Sequence, residues 1–317
     1  PGAKPIVPQL EGLDTIPTFT VRNVADIVKL RSHIEQNKVK TITVIGGGYI
    51  GIEVAENLRE AGYDITLVEG EKQILRPFDE EMVQVFHKVL MDHGVQLLLG
   101  SPVSHFEART VILASGEKIS TEMVVMAIGV RPESKLAQEA GLEMSPTGAI
   151  AVNESYQTID DDIYAIGDAI DVKHLLTGEK ARLTLAGPAQ KAARAVADNI
   201  NGIEIKASAY MGSSAIKVFE YNGASTGLNE NIIKAQKLGL HYDKVHFILN
   251  DKVGIMPDSN PLHFKLLFEV PTGRILGAQA IGKGDVDKRI DVIATAMKFN
   301  ATVYDLKDLE LCYAPPF

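Results

Sequence analysis

Cysteine is nearly missing from this chain: Cys312 is the only one in 317 residues. A lone thiol excludes an intrachain disulfide framework and suits a reducing cytoplasm. No CxxC, no HExxH and no His/Cys cluster at ligand spacing occurs, so no metal site is expected. Basic excess is missing too. The formal net charge is −9, which removes the electrostatic case for a nucleic-acid partner. No apolar run approaches the roughly 20 residues that span a bilayer, so no membrane partner is expected. The opening PGAKPIVPQLEG has neither the charged nor the apolar region of a signal peptide. Internal repeats and low-complexity tracts are absent. The length allows two or three domains and a substantial core.

What the chain does contain is concentrated in Thr41–Glu69, TITVIGGGYIGIEVAENLREAGYDITLVE. An apolar run (Ile42, Val44, Ile45) leads into Gly46-x-Gly48-x-x-Gly51. A helical pattern follows (Ile50, Val54, Ala55, Leu58), and a second apolar run ends in Glu69. Strand, glycine turn, helix and strand form the context that a dinucleotide-binding fingerprint requires. Gly46 allows the tight turn, Gly48 lets the backbone approach a pyrophosphate, and Gly51 lets the helix pack on the strand. The helix N-terminus offers N–H groups and a positive dipole end. Glu69 stands 18 residues past Gly51, near the spacing of about 20 usual for the ribose-binding acid. A carboxylate there accepts the ribose hydroxyls of NADH and repels a 2′-phosphate. Lys72 and Arg76 close by leave room for NADPH.

Further along, a helix is expected over 21–37, a third strand over Val95–Leu99, an antiparallel excursion over 103–120 and an apolar strand over Met123–Ile128. Such alternation argues for an α/β fold with a parallel, doubly wound Rossmann-type sheet. A strand Ile163–Ile166 ends in Gly167-Asp168. A helix is expected from Leu185-Ala186-Gly187-Pro188 to Ile200, with its proline in the first turn. Residues 206–317 read as α+β, with strands near 215–219, 223–228, 245–249, 263–269 and 275–282 and a helix over 286–299.

Several separated motifs agree with one another: GGGYIGIE at 46–53, AIGVRP at 127–132, DIYAIGD at 162–168, LAGPA at 185–189, VFEYNGASTGLNE at 218–230, VDKRIDVIATA at 286–296 and YAPPF at 313–317. On these the chain resembles the pyridine nucleotide-disulfide oxidoreductases. It is most similar to their single-cysteine branch of coenzyme A-disulfide reductases, NADH peroxidases, NADH oxidases and NADH-dependent persulfide reductases. VDKRID and YAPPF point to the coenzyme A-disulfide and persulfide end. The resemblance implies FAD and NADH as cofactors and a homodimer. It also implies an FAD-binding βαβ unit and a redox cysteine upstream, neither of which is in this sequence. The abrupt opening, without an initiator methionine, is therefore expected to belong to a segment of a longer enzyme. The implied domains are residues 1–35 and 150–200 as the second half of an FAD domain, 36–149 as an NAD(H) domain and 201–317 as a dimerisation domain.

Site residues carry over from the resemblance, each beside a plainer reading. Gly46, Gly48, Tyr49, Ile50 and Gly51 would form the nucleotide turn, with Tyr49 packing over the flavin or merely plugging the helix–strand interface. Glu53 would sit beside the nicotinamide; in a first helical turn the dipole alone would favour it. Ile128 and Gly129 would let NADH pass closely, although a turn glycine is as simple an account. Asp168, after Gly167, would bond the ribityl chain of FAD, or serve as an N-cap. Ala186 and Gly187 would place N–H groups near the flavin ring. Tyr313 would reach the partner subunit's active site. Cys312 is not expected to react: Leu311, Tyr313, Ala314 and the prolines bring no cation, and Glu310 opposes a thiolate. Where coenzyme A-disulfide reductases commonly carry Tyr-Tyr-Pro-Gly, this chain has Ile255-Met256-Pro257-Asp258, which weakens the case for coenzyme A disulfide and leaves room for persulfide, polysulfide or peroxide. The expected activity is NAD(P)H-driven reduction of a disulfide or persulfide. The alternatives are an NADH oxidase or peroxidase, a flavin-dependent ferredoxin-type reductase, and an NADH-binding, dimerising fragment without turnover.

Overall fold

A computed structural model describes residues 2–315. They divide into two compact units, one of residues 5–129 and 215–315, the other of 2–4 and 130–214. The chain starts with β1 (Ala3–Pro5) and β2 (Thr18–Phe19). Helix α1 (Val24–Asn37) begins at a reciprocal capping box between Asn23 and Asp26 and ends at Lys38, whose φ of 52° is left-handed. Then follow β3 (Thr41–Ile45), α2 (Tyr49–Glu60), β4 (Asp64–Val68), α3 (Glu80–Asp92) and β5 (Gln96–Leu98). An antiparallel ribbon, β6 (Val103–Glu107), β7 (Thr110–Leu113) and β8 (Lys118–Ser120), precedes β9 (Met123–Met126). The parallel sheet has the order β2-β9-β3-β4-β5. Val44 lies opposite Leu67 on one side and Val125 on the other. Strands covered on both faces read as continuous apolar runs, and all four residues of β9 are buried.

The second unit holds β10 (Val130–Pro132), paired with β1, then α4 (Lys135–Glu139), β11 (Val172–Lys173), β12 (Lys180–Ala181) and α5 (Ala186–Ile200). Its core is small: Tyr156, Ala165, Ile170, Val172, Ala192, Ala195, Val196 and Tyr210. The expected strand Ile163–Ile166 is not formed. Its N–H groups go to loop carbonyls, Ile163 to Asp160 and Ala165 to Tyr156, and only an isolated bridge joins Gln157 to Tyr164.

The C-terminal part returns to the first unit with β13 (Ser214–Val218), β14 (Tyr221–Gly227), α6 (Glu230–Ala235), β15 (Tyr242–Asn250), β16 (Pro261–Glu269), β17 (Ile275–Gly282), α7 (Val286–Lys298) and α8 (Val303–Lys307). These strands form a five-stranded sheet of order β13-β14-β17-β16-β15. Helix α7 turns Val286, Ile290, Ile293 and Met297 inward, the helical spacing read from the sequence. Helix α6 was not anticipated; six residues are too few to show a period. No helix among the described residues is long and apolar enough to cross a membrane.

The packing divides the chain differently from the expected grouping of 1–35 with 150–200. Phe19 pairs with Val125 in the parallel sheet, and Leu30 and Ile34 are buried in the core beneath it, so residues 5–35 go with the nucleotide-type sheet. Residues 130–149 go with 150–214, and the antiparallel domain starts near 214 rather than 201. The parallel and antiparallel sheets share one core, in which Phe78, Phe86 and Leu90 meet Ile216, Val218, Phe219 and Ile281. The Phe78 and Phe86 rings meet edge to face at 89° with centroids 5.9 Å apart. Phe86 lies so close to Gly223 that a Cβ there would stand 2.5 Å from its ring. Replacing Phe86 with alanine is therefore expected to cost about 3–5 kcal/mol in a urea unfolding titration. A loss under about 1 kcal/mol would show that the two sheets do not share a load-carrying core.

Candidate functional site

The turn after β3 is shaped by close approach. Gly46 has φ +114°, and a Cβ there would stand 2.4 Å from the Ala127 carbonyl oxygen. A Cβ on Gly51 would lie 1.8 Å from the Gly46 carbonyl oxygen, so only glycine lets α2 rest on the strand. Gly48, exposed, would point its Cβ into open space, and α2 starts there without a side-chain cap. Gly46 and Gly51 thus sit where a turn and a helix–strand contact require glycine, and Gly48 leaves its surroundings open. Gly47, which the pattern leaves unassigned, is constrained as well: a Cβ would meet Ile74 Cγ2 at 2.7 Å.

Glu69 extends from the end of β4 back to this turn. Its Oε2 accepts the Gly47 N–H at 2.6 Å and its Oε1 accepts the Glu71 N–H at 2.8 Å. Each carboxylate oxygen retains a lone pair for a ligand hydroxyl. Ile128 and Gly129, both exposed, follow β9; Gly129 has φ +118° and its carbonyl accepts the Ile6 N–H at 2.9 Å. Gly46, Gly48, Gly51, Glu69 and Ile128 therefore gather beyond the carboxyl ends of neighbouring parallel strands, where α/β sheets bind ligands. Tyr49 is half-buried against the core, while Ile50 is exposed. Glu53 corrects one expectation. It is the fifth residue of α2 rather than part of the first turn, so the dipole, which fades within one turn, does not account for it.

In the second unit, Gly167 (φ +69°) and half-buried Asp168 form a 3-10 turn, Gly167–Ala169. That turn packs beside the start of α5: a Cβ on Gly167 would lie 3.7 Å from Ala189 Cβ. Helix α5 begins at Ala186 with no side-chain cap, and Ala186 and Gly187 are exposed, Gly187 facing open space. Asp168 is therefore no N-cap of a long helix. Tyr313, 75% exposed on the segment after α8, belongs to neither group. Cys312 is exposed as well. Pro316 and Phe317 of the YAPPF motif lie outside the described residues.

One cluster escaped the sequence reading. Lys265, in the middle of β16, is 0% exposed. Its ammonium contacts Asp79 at 2.7 Å, Glu230 at 2.6 Å and Glu81. Lys244 and Tyr242 of β15 reach the same Glu230. The three carboxylates lie close enough to hold a metal ion, but the ammonium already meets all three. Burial works against the charged form of Glu230. The hydrogen bonds from Lys244 and Lys265 outweigh it and hold the carboxyl down to about 2. Burial likewise disfavours the Lys265 cation, and the carboxylates win there too, raising its pKa. A lysine inside HFKLLF was the one available signal, because a strand apolar around it leaves the charge no exposed face.

Comparison with known proteins agrees with this geometry. Residues 1–193 match the pyridine nucleotide-disulphide oxidoreductase domain and residues 213–317 match the dimerisation domain of the same proteins. The chain belongs to this family. Family members use FAD and NAD(P)H. The chain is 32% identical over 301 residues to the coenzyme A disulfide reductase of Staphylococcus epidermidis, covering 95% of this chain and 68% of that protein. The crystal structure of reduced Bacillus anthracis CoADR-RHD superposes with a TM-score of 0.97 at 46% identity, covering all of this chain and 57% of that one. An NAD-dependent persulfide reductase from A. fulgidus superposes with a TM-score of 0.95 at 33% identity, covering all of this chain and 59% of that one. The chain thus spans less than two thirds of these two solved chains.

The carboxylate cluster makes stability depend on acid pH. Glu230 titrates near 2 in the fold against an ordinary value of 4.5. Its ionised form stabilises the fold at any pH above 4.5, and that contribution is lost as pH falls through 2. The urea midpoint is therefore expected to drop between pH 4.5 and 2, and to drop less in Glu230→Gln. Equal slopes for the two proteins would refute the assignment.

Proposed function

We propose that this chain is the nucleotide-binding and dimerising part of a cytoplasmic, homodimeric flavoenzyme that uses NADH to reduce a disulfide or persulfide. The observation that carries the reading is the Glu69 carboxylate locked onto the Gly46–Gly51 turn, with both groups beyond the ends of parallel strands. In this reading the exposed backbone at Gly48 and the uncapped start of α2 hold the pyrophosphate. Glu69 accepts the ribose hydroxyls, and Ile128 and Gly129 leave a low wall past which the nicotinamide lies. Glu53, one turn into α2, orients the nicotinamide end. Tyr49 moves aside as the nucleotide enters. In the other unit Asp168 accepts a hydroxyl of the FAD side chain, while Ala186 and Gly187 present N–H groups to the ring, for neither position carries a side chain that would bar it. FAD, when bound, carries two electrons between the nucleotide and the sulfur acceptor.

The acceptor reacts with a cysteine outside this sequence, since Cys312 is exposed and its sequence neighbours Glu310, Leu311, Tyr313 and Ala314 bring no cation to stabilise a thiolate. Tyr313, exposed on the segment after α8, reaches the partner subunit's site and donates its hydroxyl there. The acceptor is a coenzyme A disulfide, persulfide or polysulfide. Ile255, which is 82% exposed, and Met256 carry no hydroxyl, which favours the smaller sulfur species.

Anaerobic titration of the full-length enzyme with NADH tests the reading: the flavin band should bleach, and added persulfide or disulfide should restore it. Glu69→Gln keeps the shape but removes the charge. It should weaken NADH by roughly tenfold, the worth of one hydrogen bond to a charged group, and weaken NADPH less. Equal losses would remove Glu69 from the ribose. Cys312→Ser should leave turnover nearly intact; an inactive variant would put the nucleophile in this chain after all.

A further inference from the structure

The segment between Glu69 and α3 touches the nucleotide turn beside Glu69: a Cβ on Gly47 would meet both Ile74 and the Glu69 carboxylate. The Leu75 N–H donates to the Gly47 carbonyl at 2.9 Å, and Ile74 packs against Gly47. Leu75 is buried with φ +49°, a left-handed conformation that a branched side chain adopts only when its surroundings impose it. Its side chain lies in the apolar core, and the residues on either side of it are held by polar groups of the antiparallel domain. Asn229 Nδ2 donates to the Arg76 carbonyl at 2.8 Å. Gln279 exchanges two hydrogen bonds with Asp79, each 2.7 Å, one through the Asp79 N–H and one through its carboxylate. The Lys265 ammonium meets the same carboxylate. At the rim, Asn231 donates from its backbone to Asp79 and from its side chain to Gln73. Asn229, Gln279 and Lys265 are all buried, and a buried polar group that loses its partner is costly. These contacts therefore have one geometry.

We infer that Asn229, Gln279 and Lys265 are positioning residues for the pyridine nucleotide: by holding residues 73–79 they make Leu75 fix the Gly47 peptide, and so aim the turn at the pyrophosphate. The inference rests on the nucleotide reading of the turn. The antiparallel domain then has a task in NADH binding that is separate from any role in assembly. None of the three touches the nucleotide; they act through Leu75.

Asn229→Asp in the full-length enzyme isolates the effect. The Asn229 Oδ1 that caps α6 by accepting the Ile232 N–H at 2.7 Å is kept. The donor to Arg76 is lost, and a carboxylate faces a carbonyl instead. Three quantities are read: amide exchange at Leu75, the Kd and KM for NADH, and kcat at saturating NADH. Exchange at Leu75 should accelerate and Kd and KM should rise about fivefold, with kcat changed less than about twofold. A folded variant with wild-type Leu75 exchange and wild-type NADH affinity overturns the inference. A wild-type enzyme that does not bind NADH overturns the nucleotide reading instead, and Leu75 exchange still decides whether the clasp holds the turn. Should Asn229→Asp fail to fold, the surface variant Asn231→Ala should shift the same quantities in the same direction by about twofold. No shift there overturns the inference.

Discussion

The approach of α2 to β3 governs the rest of the architecture. With the Cα of Gly51 pressed against the Gly46 carbonyl, no side chain fits between helix and strand, since a Cβ would stand 1.8 Å from that oxygen. The helix axis is thereby aimed at the end of the sheet. Its uncapped first turn faces whatever lies beyond the strands, and the oriented peptides favour an anion there. Glu69 can reach Gly47 only because the same approach brings the turn back over β4. A bulkier residue at position 51 would move the helix, and with it the meeting of Glu69, Gly47 and Ile74.

The cluster around Lys265 binds in a different way. Taking an ammonium and the Asp79 and Glu230 carboxylates out of water costs several kcal/mol per ion, and their mutual attraction repays this only with good geometry. The arrangement is thus weak evidence for stability and stronger evidence for register. Asp79 opens α3, Glu230 opens α6 and Lys265 lies on β16. Moving any one of these elements would take a partner from a buried charge. The apolar contact of Phe86 with Gly223 and Phe219 tolerates small sliding; the ionic one does not. Together they join a parallel and an antiparallel sheet into one unit with a fixed alignment.

Much of the fold and of the candidate site was legible because the signals are local. Gly46, Gly48, Gly51 and Glu69 lie within one strand–helix–strand repeat, and the inward face of α7 repeats with the helical period. What could not be read depends on distant partners. Residues 5–35 join the parallel sheet because Phe19 finds Val125, and nothing near Phe19 announces it. The Ile163–Ile166 run was apolar enough for a strand but had only loop carbonyls to bond. Glu53 was placed one turn early because the helix starts at Tyr49, and only the geometry at Gly48 sets that start. Lys265 drew no attention in the sequence because Asp79, Glu81 and Glu230, which surround it, are distant along the chain.

The same constraints bear on the choice between NADH and NADPH. The Glu69 carboxylate is held through both oxygens by backbone N–H groups, so its negative charge cannot swing away from an incoming 2′-phosphate. Lys72 and Arg76 are exposed, and a solvated cation on a long stem must give up side-chain freedom to bind phosphate in a screened environment. Only the backbone of Arg76 is anchored, through its carbonyl to Asn229. A fixed, half-buried charge is screened less by salt than mobile, exposed ones. On the proposed reading of the turn, discrimination rests on rigidity as much as on charge: the backbone bonds that hold Glu69 in place also prevent it from yielding to a phosphate.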